Sequence, residues 1–147
     1  VISYNASISA CEKGQQWEPA LLLLVQMEAC GVKPDVISYN ASISACEKGQ
    51  QWEPALLLLA QMRAHGMEPD VISYSAVISA CEKGQQWDRA LSLLTLMTAF
   101  GVEPNVISYN ASISACEKGQ QWEPALLLLV QMEACGVKPD VISYNAS

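Results

Sequence analysis

Apolar residues recur with helical spacing in two successive stretches of residues 1–35. In the first stretch, Tyr4, Ile8 and Cys11 stand at i, i+4 and i+7, and this spacing predicts a helix over about residues 3–13. The second stretch predicts a helix over about residues 16–30. Its apolar face consists of Trp17, Ala20, Leu21, Leu24 and Met27.

Glycine and proline residues mark the ends of these two predicted helices. Gly14 and Gly31 each follow a helix, and we expect both to adopt the positive φ that ends many helices. Pro19 falls in the first turn of the second helix, where a missing N–H is tolerated. Pro34 cannot continue a helix, and Asp35 is a favourable cap for the next one. The segment therefore reads as helix–turn–helix.

The same 35-residue unit is written four times along the chain. Residues 1–35 are followed by 36–70, 71–105 and 106–140, and 141–147 begins a fifth copy that stops after seven residues. A fixed period of this length predicts a repeat array in which each unit packs only on its neighbours. The expected fold class is therefore all-α, a single α-solenoid of helix–turn–helix repeats.

Two further stripes lie outside the predicted core. Asn5, Ser9 and Lys13 form a polar stripe on the first helix, beside its apolar face. On the second helix, Leu22 and Val25 point away from the core although they are apolar. The equivalent residues are apolar in two other units (Leu57, Ala60, Leu127, Val130) and polar in the third (Ser92, Thr95). This outward patch indicates either a surface for self-association or a protein partner, or duplication of an imperfect unit.

Composition limits the class of protein. The chain is 51% hydrophobic, which argues against disorder, and it has no apolar run long enough for a membrane span. Its formal net charge of −7 has the opposite sign to that expected of a nucleic-acid binder. We expect the tryptophans of the four units to be packing residues. These are Trp17, Trp52, Trp87 and Trp122.

The six cysteines follow the repeat and form no metal-binding spacing. Equivalent positions in stacked helices lie about 8–10 Å apart, which is too far for a disulfide. We therefore expect reduced, core-filling thiols in an intracellular protein, without a metal site or cofactor. The cysteines are Cys11, Cys46, Cys81 and Cys116 at one repeat position, and Cys30 and Cys135 at another.

The residues of the unit decide between repeat families of similar length. The tetratricopeptide pattern fits poorly, because Tyr4, Ser7, Ile8 and Cys11 stand where it requires Trp, Leu, Gly and Tyr. The unit closely resembles the pentatricopeptide repeat, and the resemblance covers all 147 residues. The matching residues are Val1, Ser3, Tyr4, Asn5, Ile8, Lys13, Ala20, Leu21, Leu23, Met27, Gly31, Val32, Pro34 and Asp35.

This resemblance implies a right-handed superhelix that binds single-stranded RNA with one base per repeat. In the family, the fifth and last residues of a unit select the base. The pairs Asn5–Asp35, Asn40–Asp70 and Asn110–Asp140 correspond to uracil, with cytosine tolerated, and Ser75–Asn105 is similar to the pair for adenine. The chain would therefore read U-U-A-U. The family's apolar second position holds the base between neighbouring repeats, and here it is Ile2, Ile37, Ile72, Ile107 and Ile142.

A regular row of lysines ends the polar stripe, and two interpretations of it stay open. The row could contact RNA phosphates, or each lysine could pair with water or with the glutamate that precedes it in sequence. The lysines are Lys13, Lys48, Lys83 and Lys118, and the glutamates are Glu12, Glu47, Glu82 and Glu117.

The sequence bears on three classes of function: RNA binding, a protein-interaction scaffold and an enzyme. RNA binding is favoured, and a protein-interaction scaffold is the alternative, supported by the acidic charge and the outward leucines. An enzyme is not expected, because the single His65 lacks a nucleophile partner and no phosphate-binding loop occurs. We also predict self-association through the uncapped array ends, or instability of residues 141–147. A mitochondrial or chloroplast location follows from the resemblance alone.

Overall fold

The computed structural model describes residues 2–14 and 16–134, with side chains from residue 6 onward, and this part of the chain forms eight α-helices and no strand. The predicted helix–turn–helix unit is confirmed in all four copies. The sequence predictions for Cys135 and for residues 141–147 concern residues outside the described part of the chain. The helices are α1 Ile2–Lys13, α2 Trp17–Ala29, α3 Val36–Lys48, α4 Trp52–Ala64, α5 Val71–Lys83, α6 Trp87–Ala99, α7 Val106–Lys118 and α8 Trp122–Ala134.

The first helices of the four units pack side by side in one continuous layer. Helices α1, α3, α5 and α7 each contact the next one in this layer. Each second helix packs on its own first helix, and α2, α4 and α6 also pack on the first helix of the following unit. The predicted apolar faces meet in this arrangement. Ile43, Cys46, Leu58 and Met62 are buried in the second unit, and their equivalents continue the core along the array.

A buried tyrosine joins each unit to the preceding one. The Tyr39 hydroxyl donates to Glu28 Oε1 at 3.4 Å, and in the next unit Arg63 Nη1 donates to the Tyr74 hydroxyl at 3.2 Å. Arg63 also stacks on the Phe100 ring, 3.4 Å from its centroid. Burial, together with the charge and hydrogen bond of Glu28, raises the pKa of Tyr39 to about 12. Tyr39 therefore stays a neutral hydrogen-bond donor near neutral pH.

The prediction that the glycine after each first helix adopts positive φ is wrong where the structure describes it. Gly49 has φ −85°, and its successor Gln50 takes the left-handed conformation at φ 60°. The following amide, Gln51 N–H, then donates to the Cys46 carbonyl at 2.8 Å and closes the helix end. The prediction for the second glycine is confirmed, since Gly31 has φ 78°.

Close packing against tryptophan explains the first glycine. The Trp17 ring lies against Gly49 of the next unit, and a Cβ at Gly49 would stand only 2.5 Å from Trp17 Cδ1. The same contact recurs between Trp52 and Gly84 and between Trp87 and Gly119.

The tryptophans confirm the packing prediction except in the last unit. Trp17, Trp52 and Trp87 are partly buried against the core, whereas Trp122 is 64% exposed.

The cysteine prediction holds for one repeat position and fails for the other. Cys46, Cys81 and Cys116 are buried, and all the described cysteines are free thiols. Cys30 is exposed, so it does not fill the core as expected. It is the residue that ends α2, where the side chain lies beyond the packed face of the helix.

The outward apolar residues of the second helices are exposed as predicted. The exposed fractions are 63% for Leu22, 62% for Val25, 60% for Leu57, 64% for Leu127 and 63% for Val130. Among the described residues no helix combines the length and apolar content required to cross a bilayer. Self-association through this surface stays a prediction.

The glycine–tryptophan contact predicts a position-dependent cost of alanine. Gly49→Ala should lower the free energy of unfolding by about 1–3 kcal/mol, because the new methyl group collides with Trp17. Gly14→Ala is the matched control. Its Cβ would meet nothing closer than the Ala10 carbonyl oxygen at 3.5 Å. The free energy of unfolding of both variants is measured by chemical denaturation. Equal stability of the two variants would contradict the close contact between Gly49 and Trp17.

Thiol reactivity should separate the two cysteine positions. Burial raises the pKa of the Cys46 thiol to about 11 and that of Cys81 to about 12, so their reactive thiolates are scarce at pH 8. In a Cys135→Ser background, a disulfide reagent should modify Cys30 rapidly and should reach Cys46 and Cys81 only after guanidinium is added. Rapid modification of Cys46 in the folded protein would contradict the burial of its thiol.

Candidate nucleic-acid interface

The last residue of each unit caps the first helix of the next unit. Asp35 Oδ1 accepts the Ser38 N–H at 2.9 Å, Asp70 Oδ1 accepts the Ser73 N–H at 3.0 Å, and Asn105 Oδ1 accepts the Ser108 N–H at 2.9 Å. Each serine hydroxyl in turn accepts the backbone N–H of the capping residue. This reciprocal arrangement is a capping box, and it confirms the predicted role of Asp35.

The fifth and last residues of the second unit converge at this cap. Asn40 Nδ2 donates to Asp70 Oδ1 at 3.3 Å, and the Ser73 hydroxyl donates to Asn40 Oδ1. The Ser73 hydroxyl also contacts Asp70 Oδ1 at 3.0 Å. All of these bonds to Asp70 use Oδ1, so none of them occupies the second carboxylate oxygen, Oδ2. Asp70 is exposed, and a ligand in front of this helix end can reach it.

The third unit makes the same arrangement with different atoms. The Ser75 hydroxyl lies 3.4 Å from Asn105 Oδ1 and 2.7 Å from the Ser108 hydroxyl. Because Asn105 uses Oδ1 for the cap, its amide nitrogen Nδ2 stands where Asp70 has Oδ2. Ser75 is only 6% exposed, whereas Asn40 is partly exposed. The fifth residue of the third unit is therefore both shorter and less exposed than that of the second unit.

Sequence reasoning missed the serine at the third position of each unit. Ser38, Ser73 and Ser108 are fully buried and tie the cap to the next helix, and Ser73 also fixes the fifth residue Asn40. The signal for them was present, because Asp-x-x-Ser or Asn-x-x-Ser spans each unit boundary with the spacing of a capping box.

The apolar second positions form an exposed row along the same helix ends. Ile37, Ile72 and Ile107 are 62%, 61% and 58% exposed, which is unusual for isoleucine in the first turn of a packed helix. The side chains of Ile2, Asn5, Asp140 and Ile142 lie outside the described residues, so their placement stays a prediction. Asn110 is partly buried, and its predicted partner Asp140 belongs to that undescribed part.

The described lysines of the row do not pair with the glutamates that precede them in sequence. Lys48 forms an ion pair with Glu12, Lys83 with Glu47 and Lys118 with Glu82. The partner is thus the glutamate of the preceding unit and not the adjacent residue in sequence. Lys13 is exposed and forms no ion pair among the described residues. The assignment of the row to phosphates stays a prediction.

Neither metal ligands nor an obvious catalytic pair occur at this row in the described part of the chain. That part contains no group of three or more His, Cys, Asp and Glu residues placed to hold a metal ion. His65 lies at another interface, with Nε2 3.9 Å from Glu28 Oε1. The convergent groups at the helix starts are hydrogen-bond donors and acceptors, which suit recognition of a planar polar ligand edge.

A family profile covers almost the entire chain. The profile of the PPR repeat family matches residues 1–48, 34–83, 71–118 and 104–146. This chain belongs to the PPR repeat family. No curated protein sequence matches the chain.

Solved PPR structures share this fold. The structure of PPR10, a maize protein, in complex with an 18-nt psaJ RNA element superposes with a TM-score of 0.83 at 25% identity. That match covers 99% of this chain and 21% of PPR10, so the chain spans about a fifth of its relative's length.

The fold is also that of two RNase P proteins of Arabidopsis thaliana. The PPR domain of protein-only RNase P 1, solved in complex with tRNA, has a TM-score of 0.86 at 18% identity over 96% of this chain and 75% of that one. Nuclear proteinaceous RNase P 2 has a TM-score of 0.87 at 15% identity over 99% of this chain and 33% of that one. At these identities the likeness concerns the fold.

The cap predicts different outcomes for two substitutions of Asp70. Asp70→Ala removes the acceptor of the Ser73 N–H and should lower the free energy of unfolding by about 0.5–2 kcal/mol. Asp70→Asn should keep stability within about 0.5 kcal/mol, because Asn and Asp are comparable N-caps. Asn105 already caps α7 in the same way. Denaturant titrations of both variants measure these changes. A large loss of stability in Asp70→Asn would mean that the negative charge of Asp70 contributes to stability.

Proposed function

We propose that this chain binds single-stranded RNA sequence-specifically, with one base per PPR unit and a preference for U-U-A-U, and that it acts in organellar RNA metabolism. The bases are read by the fifth and last residues of each unit. The reading residues are Asn5, Asp35, Asn40, Asp70, Ser75, Asn105, Asn110 and Asp140. The chain acts by binding and has no catalytic group assigned to it.

One observation carries this proposal. The cap fixes Oδ1 of the last residue, so Asp70 offers a carboxylate oxygen to a ligand while Asn105 offers an amide nitrogen at the equivalent place. A carboxylate oxygen only accepts hydrogen bonds, and it suits the ring N–H of uracil. An amide nitrogen only donates, and it suits the unprotonated ring nitrogen of adenine. The exchange of Asp for Asn therefore reverses the hydrogen-bond preference of the unit.

The size of the fifth residue supports the same assignment. Ser75 has a shorter side chain than Asn40, so a purine would meet less side-chain volume at the third unit. Cytosine also presents an acceptor nitrogen, and this difference in size favours adenine over cytosine at that unit. The exposed row of Ile37, Ile72 and Ile107 offers apolar surface on which base faces can lie.

The RNA complex of PPR10 supports the choice of ligand. PPR10 shares the fold of this chain at 25% sequence identity over the matched part and was solved with an RNA element. Four units read few bases, and each stacked base contributes on the order of 1–3 kcal/mol. The chain alone should therefore bind weakly, and units elsewhere in a longer protein would add to the affinity.

Fluorescence anisotropy tests the base assignment. Wild-type protein is titrated into labelled U-U-A-U and U-U-U-U RNAs at two salt concentrations. We expect U-U-A-U to bind more tightly by roughly 5- to 150-fold, which corresponds to about 1–3 kcal/mol for one well-placed base contact. The double variant Ser75→Asn with Asn105→Asp turns the third unit into a copy of the uracil pair and should prefer U-U-U-U.

Asn105→Asp alone is the sharper variant, because it retains the cap of α7 and changes only the outward atom from donor to acceptor. It should lose the preference for adenine without loss of stability. Equal affinity of wild type and both variants for the two RNAs would contradict readout by these residues.

A protein-interaction scaffold is the second candidate function, and the exposed apolar residues of α2, α4 and α8 favour it. Absence of binding to both RNAs at low salt would favour this alternative. Substitution of Leu22, Leu57 and Leu127 by Ser, the residue of the third unit, would then be the variant for partner-capture experiments.

A further inference from the structure

Three ion pairs connect the carboxyl ends of neighbouring first helices, and we call them the Lys–Glu ladder. Its pairs are Lys48–Glu12, Lys83–Glu47 and Lys118–Glu82. The lysine side chains are 39%, 38% and 41% exposed, and the glutamates are 24%, 19% and 16% exposed. The lysines therefore remain open to an anion in solution while they are already paired.

The ladder lies at the opposite end of the first helices from the capped helix starts. Lys48 follows Asn40 by eight residues on α3, which is about 12 Å along the helix axis and about 80° around it. An RNA strand whose bases reach the helix starts would carry its phosphates near these lysines. This step rests on the proposed function.

A lysine that contacts a phosphate must first leave its glutamate. Exposed ion pairs of this kind are weak, so a phosphate can displace the carboxylate. Each contact between one of these lysines and a phosphate is nevertheless weaker by the free energy of the ion pair that is lost. Phosphate contacts carry no sequence information, whereas base contacts do. A reduction of backbone affinity therefore raises the share of binding that depends on the bases.

We propose that Glu12, Glu47 and Glu82 compete with RNA phosphates for the lysines of the following unit and so lower the affinity of the array for any RNA strand. They hold the non-specific affinity of the array low, so that the fifth and last residues supply a larger share of the binding free energy. They act through the lysines and are not themselves expected to touch RNA.

Two triple variants with equal charge test this proposal. Glu12→Gln, Glu47→Gln and Glu82→Gln remove the ladder carboxylates. Glu18→Gln, Glu53→Gln and Glu123→Gln remove three exposed carboxylates from the second helices. Both variants reduce the formal net charge of −7 by three negative charges. A difference in RNA affinity between the two variants therefore depends on which carboxylates are removed and not on how many.

The ladder variant should bind both U-U-A-U and a scrambled RNA more tightly, by roughly 3- to 100-fold for three exposed pairs. The ratio of the two affinities should stay the same, because the added phosphate contacts are common to both RNAs. The log–log salt dependence should steepen by up to about 2, since each new phosphate contact on a single strand adds about 0.7. The control variant should show a smaller gain with an unchanged salt slope. Equal gains in the two variants would overturn the proposal.

A second set of variants separates competition from a structural role. In a background of Lys48→Gln, Lys83→Gln and Lys118→Gln, removal of the ladder glutamates should no longer tighten RNA binding. Thermal unfolding of all variants runs in parallel. A structural role predicts equal effects of the Lys and Glu substitutions, whereas competition predicts opposite changes in affinity. A gain in affinity that persists without the lysines would refute competition.

The outcomes also distinguish this inference from the proposed function. If wild type prefers U-U-A-U but the ladder and control variants behave alike, base readout stands and the ladder proposal fails. If wild type and every variant fail to bind either RNA at low salt, both proposals fail. If the ladder variant alone gains strong binding to the scrambled RNA, the masking of the lysines is supported.

Discussion

The hydrogen bond from a helix-start N–H to Oδ1 of the preceding unit's last residue is the interaction on which the array and its site depend. It ends the connector and starts the next helix, and it brings that last residue beside the fifth residue of its own unit, as Asp70 and Asn40 show. Because one terminal atom is committed to the cap, the other faces outward. The same contact thus defines the fold boundary and the chemistry offered to a ligand, and Asp or Asn serves the cap equally well.

Contacts between neighbouring units repeat with the same period and leave little freedom in their spacing. A tryptophan ring covers the glycine that ends the next first helix, and a buried tyrosine reaches back to the end of the preceding second helix. The third unit differs from the others at its fifth and last residues and at Ser92 and Thr95, yet its helices keep the same bounds within the unit. Ser92 and Thr95 bond to carbonyls of their own helix. The scaffold is therefore independent of the residues that distinguish one unit from another.

The acidic composition also has a local structural meaning. Three lysines of the first helices are neutralised by glutamates of the preceding unit, so the positive row never appears as a basic patch. An acidic chain can still bind nucleic acid where hydrogen bonds to bases dominate over phosphate attraction. In such a protein the net charge is a poor guide to the ligand, because the affinity depends on groups at the helix starts.

The sequence by itself determined the unit, its two helices and the faces they bury, because period and apolar spacing follow from helical geometry. It also located the fifth and last residues, since capping is a local property of the chain. Tertiary structure alone decided the rest. It placed the tryptophan over Gly49 of the next unit, so that Gln50 and not the glycine takes positive φ. It exposed Cys30 and Trp122, and it paired Lys48, Lys83 and Lys118 each with a glutamate 36 residues away. These features depend on which unit lies alongside, and no pattern within one unit specifies the distance between side chains of two packed helices.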